Sequence, residues 1–219
     1  METAYVGGRE VRFDTGGDRR FCAITFFADF SADDAEKILT GIPYPAFAVR
    51  VGDWRSELSP WEFHSGDSPF GGRGEDMLRY ITGSLIPFAE GFFDTPPAFV
   101  IGGYSLAGLF SLWASCVRDG FHAVAAASPS VWFPGWIGFL KENPCRCGYV
   151  HLRLGDRERR SRDPLMSSVE ERIIETRDII SAGCGCSLEF DRGGHFDDVA
   201  GRTVRAFVSA VSPEHHRVP

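Results

Sequence analysis

The chain has 219 residues, 43% hydrophobic and 24% charged, with a formal net charge of -7. That length suffices for one domain with a full hydrophobic core, and residues 1–219 read as a single domain ending in a flexible tail at 212–219. The acidic balance argues against nucleic acid as a partner, because phosphate binding needs a basic face.

The opening residues, Met1 to Tyr5, carry no basic stretch ahead of an apolar run, so no secretory leader is expected and the cytoplasm is the expected compartment. Residues 5–6 and 11–13 flank Gly7-Gly8 as a small hairpin. Residues 21–28 (FCAITFFA) read as a buried strand. Ser31 is placed to cap a helix over 32–40, ended by Gly41 and Pro43. Residues 46–51 (AFAVRV) form the next strand, and 52–72 a long irregular stretch holding Trp54, Trp61, Phe63 and His64. A helix follows over 74–88, then a strand over 98–102 and a helix over 107–118. A strand over 122–127 leads to a loop over 128–140 with one helical turn. The chain then gives a strand over 148–154, a helix over 164–182 opened by Pro164, a strand over 187–190 and a helix over 197–211. Such alternation predicts an α/β fold with a mostly parallel central sheet and helices on both faces.

From Thr95 to Val117 no residue is charged, a length that could cross a bilayer. Pro96-Pro97 opens the segment, Gly102-Gly103 interrupts it and Tyr104-Ser105 sits near its centre. A buried strand, a tight turn and a buried helix explain it better, and no membrane span is expected.

That turn carries the chemistry. In Phe99-Val100-Ile101-Gly102-Gly103-Tyr104-Ser105-Leu106-Ala107-Gly108, serine lies between a strand and a helix, in the manner of a nucleophile elbow. A serine hydroxyl is a poor nucleophile unless it is presented to a base. A sharp turn lifts its Oγ clear but presses strand against helix, so the positions two before and two after must be small. They are Gly103 and Ala107, a slight departure from G-x-S-x-G. The backbone N–H of Leu106 opens the helix and is placed to hold an oxyanion.

In this fold the acid and then the histidine follow the serine along the chain. His122 and His151 fall in or beside strands and read as structural, and His215 and His216 lie in the tail. His195, in Arg192-Gly193-Gly194-His195-Phe196-Asp197, occupies the loop before the last helix, where glycines let the imidazole turn back toward Ser105. The acid is expected after the strand over 148–154. Both Asp156 and Glu158 stand in Gly155-Asp156-Arg157-Glu158, and a G-x-x-D register favours Glu158. The second oxyanion donor is expected from the loop Ala28-Asp29-Phe30-Ser31, with the N–H of Phe30 as candidate.

With these residues in place, the chain resembles the esterase D-like group of α/β-hydrolases, which includes enterochelin esterases, feruloyl esterases and mycolyl transferases. The resemblance runs from about Phe21 to Val211. It is carried by Gly52-Asp53-Trp54-Arg55, Ser59-Pro60-Trp61, the Ser105 turn, Ala127-Ser128-Pro129-Ser130-Val131-Trp132, Gly155-Asp156-Arg157-Glu158 and Gly193-Gly194-His195-Phe196. It implies a serine esterase acting on small or aromatic carboxylic esters, with no metal or organic cofactor. Acyl transfer by the same residues and a catalytically inactive binding module are the alternatives. It also puts Trp54, Tyr104, Trp132 and Phe133 beside Ser105 as a partly aromatic pocket. Two departures stand out: Ala28-Asp29-Phe30 replaces the usual His-Gly pair of the oxyanion loop, and the short chain leaves little room for a lid.

Of six cysteines, Cys22 and Cys116 read as small core residues. Cys145-Arg146-Cys147 and Cys184-Gly185-Cys186 precede two strands expected to be parallel neighbours, so their four sulfurs should gather at the N-terminal edge of the sheet. Reduced thiols, disulfides and a four-cysteine zinc site are all compatible with this spacing.

Overall fold

The computed structural model describes residues 1–65 and 68–212. The tail expectation, with His215 and His216, falls outside the described residues from 213 onward. Strands β1 (Glu2–Val6) and β2 (Arg9–Asp14) form the expected hairpin. Gly7 and Gly8 turn it at φ of 54° and 82°, a left-handed pair that side chains rarely adopt. The chain then alternates as β3 (Phe21–Phe27), α1 (Ala32–Gly41), β4 (Ala46–Arg50), α2 (Trp54–Glu57), β5 (Glu62–Ser65), β6 (Ser68–Gly71), α3 (Gly74–Tyr80), α4 (Ile86–Glu90), β7 (Ala98–Tyr104) and α5 (Leu106–Val117). It continues as β8 (Ala123–Ala127), α6 (Trp136–Glu142), β9 (Tyr149–Gly155), α7 (Pro164–Ser167), α8 (Val169–Ser181), β10 (Gly185–Asp191) and α9 (Val199–Ala210).

Eight strands form one sheet in the order β1-β2-β4-β3-β7-β8-β9-β10. The β1–β2 and β2–β4 pairs are antiparallel and all others parallel. Central strands with both faces covered read as unbroken apolar runs, and β8 (AVAAA) is buried at every residue. Ile38 and Leu39 of α1 pack with Phe207 of α9 on one face. Met77 of α3, Phe110 of α5, Trp136 of α6 and Ile173 of α8 pack on the other. The sheet and its two helical layers have the architecture of an α/β-hydrolase.

Several local expectations are corrected. Ser31 stands at the start of α1, but its hydroxyl turns back to the Ala28 backbone and does not cap the helix. The stretch over 52–72 contains α2, whose N-terminus is capped by the Asp53 carboxylate accepting the Ser56 N–H at 3.1 Å, and the β5–β6 ribbon. A four-residue helix is too short to show a period. The helix expected over 74–88 widens to π-type turns at Ile81–Leu85, just ahead of Pro87, whose ring nitrogen has no hydrogen to donate. The turn expected within 128–140 is the two-turn α6, anchored by Trp136 Nε1–H donating to Thr176 Oγ1 at 3.0 Å. Strand β10 is longer than its apolar run because pairing with β9 extends over Gly185 and Asp191.

Candidate active site

Parallel strands deliver their C-terminal ends to one edge of the sheet, and the expected residues converge there. Ser105 follows β7 directly, with φ 57° and ψ −118°. For a residue with a side chain such backbone costs ~1–3 kcal/mol, which the surrounding packing must hold in place. Strand and helix meet closely behind it: a Cβ at Gly103 would lie 2.7 Å from the Ala107 Cβ. The turn therefore needs glycine at 103 and only a methyl at 107. Gly108 is somewhat less tight, since a Cβ there would stand 3.0 Å from the Gly103 carbonyl oxygen.

His195 Nε2 lies 3.0 Å from Ser105 Oγ, and His195 Nδ1 lies 2.7 Å from Glu158 Oε2. The imidazole thus bridges hydroxyl and carboxylate. Glu158 Oε1 accepts from the Ser128 hydroxyl at 2.6 Å and from the Gly155 N–H at 2.8 Å. Burial alone would raise the Glu158 carboxyl. The hydrogen bond and charge of His195, helped by Ser128 and Gly155, outweigh it and hold the group below the ordinary glutamate value. Asp156 is exposed, and its Oδ1 accepts the Gly193 N–H at 2.9 Å. It braces the histidine loop without touching the imidazole.

This division of labour predicts different outcomes at the two carboxylates. Glu158→Gln should lower kcat for ester hydrolysis by ~10³–10⁴-fold, because an amide cannot stabilise an imidazolium, whereas Asp156→Asn should change it little. The depressed Glu158 carboxyl also links to stability. Its contribution is fully present above the unfolded value of about 4.3 and is lost as pH falls through the lower folded value. Acid unfolding of Glu158→Gln, followed by circular dichroism, should lack that component.

Three side chains of the site go beyond the sequence-based expectations. Arg202 on α9 is fully buried, and its Nη1 lies 2.8 Å from Glu158 Oε1, 2.6 Å from Ser128 Oγ and 2.7 Å from the Tyr104 hydroxyl. Tyr104 in turn donates to the His195 carbonyl oxygen. Burial pushes the Tyr104 phenol up, which keeps the proton it donates. One guanidinium thereby ties together the acid, the serine that supports it and the backbone of the histidine. The other two are Ser128 itself and Ser130, whose Oγ is 3.2 Å from Ser105 Oγ. Both serines stand in the motif after β8, which is the signal that marks them. Arg202 announces itself only as a cation on the apolar side of α9, one turn before Ala206.

Trp54, Tyr104 and Trp132 line a cavity of about 470 Å³ that reaches Ser105 and His195. Phe133 does not join them. It is buried among Trp61, Phe63 and Phe70, a correction that follows from its place facing the β5–β6 ribbon. Phe30 sits in the short turn Asp29–Ser31 after β3, lines the cavity and meets Trp54 edge to face. Leu106 is the first residue of α5, where backbone N–H groups have no acceptor within the helix. Among the described residues no group of three or more His, Cys, Asp or Glu is arranged to hold a metal ion. No helix of the described residues is long and apolar enough to cross a membrane.

No family model and no curated protein sequence matches the chain. Solved structures do. An IroE-like serine hydrolase from Shewanella oneidensis superposes with a TM-score of 0.71 at 15% identity, over 91% of this chain and 74% of that one. Enterochelin esterase from Shigella flexneri gives 0.69 at 19% identity, over 95% of this chain and 56% of that one. Siderophore hydrolase EstB from Aspergillus nidulans gives 0.65 at 18% identity, over 92% and 90%. These likenesses establish the fold, the α/β-hydrolase fold.

Proposed function

We propose that the chain is a serine esterase that cleaves carboxylic esters of small apolar or aromatic molecules through an acyl-enzyme on Ser105. The reading rests on the unbroken hydrogen-bonded chain from Ser105 Oγ through His195 to Glu158, at 3.0 and 2.7 Å, opening into an apolar cavity. In this reading His195 takes the serine proton as Oγ attacks the ester carbonyl, and Glu158 fixes the imidazole tautomer and balances its charge. The N–H groups of Leu106 and Phe30 hold the oxyanion. His195 then protonates the leaving alcohol, and water releases the acid by the same steps in reverse.

The cavity walls support this substrate class. Phe26, Ile38, Trp54, Trp132, Met166 and Val169 supply apolar surface, in a volume suited to a small ligand. The test is a panel of p-nitrophenyl esters from acetate through butyrate and benzoate to palmitate. Turnover should be best with butyrate and benzoate and should drop for palmitate, whose chain overfills the cavity. Turnover of none of them would remove the esterase reading, and a preference for palmitate would remove its substrate class. Adding a competing alcohol and analysing products separates hydrolysis from acyl transfer.

A further inference from the structure

At the opposite edge of the sheet, five cysteines gather around the entries to β9 and β10. Cys116 lies in the last turn of α5, buried, with its sulfur 3.5 Å from that of Cys145. At that separation the two thiols touch. Cys145 is partly exposed and, with Leu140, Lys141, Pro144, Ile179 and Cys184, lines a surface cleft of about 440 Å³. The other sulfurs also have backbone acceptors or lie further on. The Cys147 thiol lies 3.5 Å from the Tyr149 carbonyl oxygen, and the Cys184 thiol donates to the Cys147 carbonyl at 3.1 Å. Cys186, inside β10, lies one position beyond the edge.

We propose that Cys145 and Cys116 form an oxidation site, in which Cys145 captures a low-molecular-weight disulfide at the cleft and Cys116 resolves it to an intramolecular disulfide. Both features that such a site needs are present: a partly exposed cysteine lining a surface cleft and a buried sulfur touching its own. Hydrogen bonding from the Cys116 and Cys147 thiols also holds the Cys145 thiol below its ordinary range, while Cys116 stays above it. In the first step the Cys145 thiolate attacks one sulfur of the small disulfide. The S–S bond breaks and one small thiolate leaves. In the second, Cys116 loses its proton and attacks the Cys145 sulfur, expelling the second small thiolate. Two protein thiols are oxidised by two electrons, one small disulfide is reduced to two thiols, and the two protein protons end on the leaving groups.

The bridge would join the C-terminal turn of α5 to the strand entry of β9. Ser105 lies at the other end of α5, about 17 Å away along a helix of 12 residues. Oxidation should therefore raise stability and spare the esterase site. Closing the chain from 116 to 145 removes much more denatured-state freedom than a bridge within Cys-x-Cys would.

The test treats the full-length protein with oxidised glutathione, blocks remaining thiols and maps peptides without reductant. A 116–145 cross-link is expected, reversible with dithiothreitol, with a Tm rise of about 5–10 °C. In Cys116→Ala the glutathione should remain attached to Cys145, with no gain in Tm. Unmodified thiols, a first bridge between any other pair, or a cross-link pattern unchanged by Cys116→Ala would each overturn the proposal. Fluorophosphonate labelling of the same samples reads the serine site separately, so failure of one reading leaves the other intact.

Discussion

Replacing Ser105 by alanine should lower kcat for p-nitrophenyl butyrate by ~10³-fold or more while leaving the fold in place. The expectation follows from how the serine is held. Its backbone is strained at φ 57°, so alanine inherits the same turn, and the substitution removes only the hydroxyl's hydrogen bonds to His195 and Ser130. Binding should survive, because the apolar walls do not involve the hydroxyl. A variant that melts like the wild type but turns over no ester isolates the chemical step. A variant that retains full activity would mean that another group attacks the carbonyl.

Arg202→Met should have the largest effect on stability, with Tm lower by about 6–20 °C. Breaking a buried ion pair from one side costs ~3–5 kcal/mol, and a chain of this length loses ~2–4 °C per kcal/mol. Methionine fills similar volume but gives nothing to Glu158, Ser128 or Tyr104. Asp191, 3.4 Å from Arg202 Nε, keeps Arg153 and Arg205 as partners, so the loss concentrates on the Glu158 side. Activity should fall by ~10²-fold, as for a misplacement of about 1 Å in the reacting groups. Arg202→Lys should recover part of both. It restores the charge, but a compact ammonium cannot span the carboxylate, the two hydroxyls and the Gly194 carbonyl that the guanidinium reaches. Thermal melts alongside kcat measurements check both expectations.

The parts of the site that are legible in the sequence are those imposed by local geometry. The elbow needs small residues around Ser105, and Gly103 and Ala107 record that need in the chain. The strand–loop–helix order places His195, and glycines mark its loop. Glu158 separates from Asp156 in the sequence only by register, since both are acids after the same strand. The distinction lies in burial: Glu158 points inward to three donors besides His195, while Asp156 stays at the surface. Arg202 is not legible because the site side chains it holds, Glu158, Ser128 and Tyr104, are 44 to 98 positions away in the chain. Its place on the apolar side of α9 is a contradiction that only the tertiary packing resolves. Phe133 shows the converse error: an aromatic beside Trp132 reads as a pocket wall, yet its ring belongs to the packing over the ribbon. The cysteine pairs gather as the parallel pairing of β9 with β10 requires, but the sulfur of Cys116, which touches that of Cys145, comes from α5, and spacing alone does not reveal it.

The most direct measurement is reaction of the intact protein with a fluorophosphonate, followed by peptide mass spectrometry. The account predicts one phosphonyl group per chain, on Ser105, with labelling slowed strongly in His195→Ala and Glu158→Gln and competed by p-nitrophenyl butyrate. Labelling of another residue, or ester turnover that continues once Ser105 is fully labelled, would contradict it.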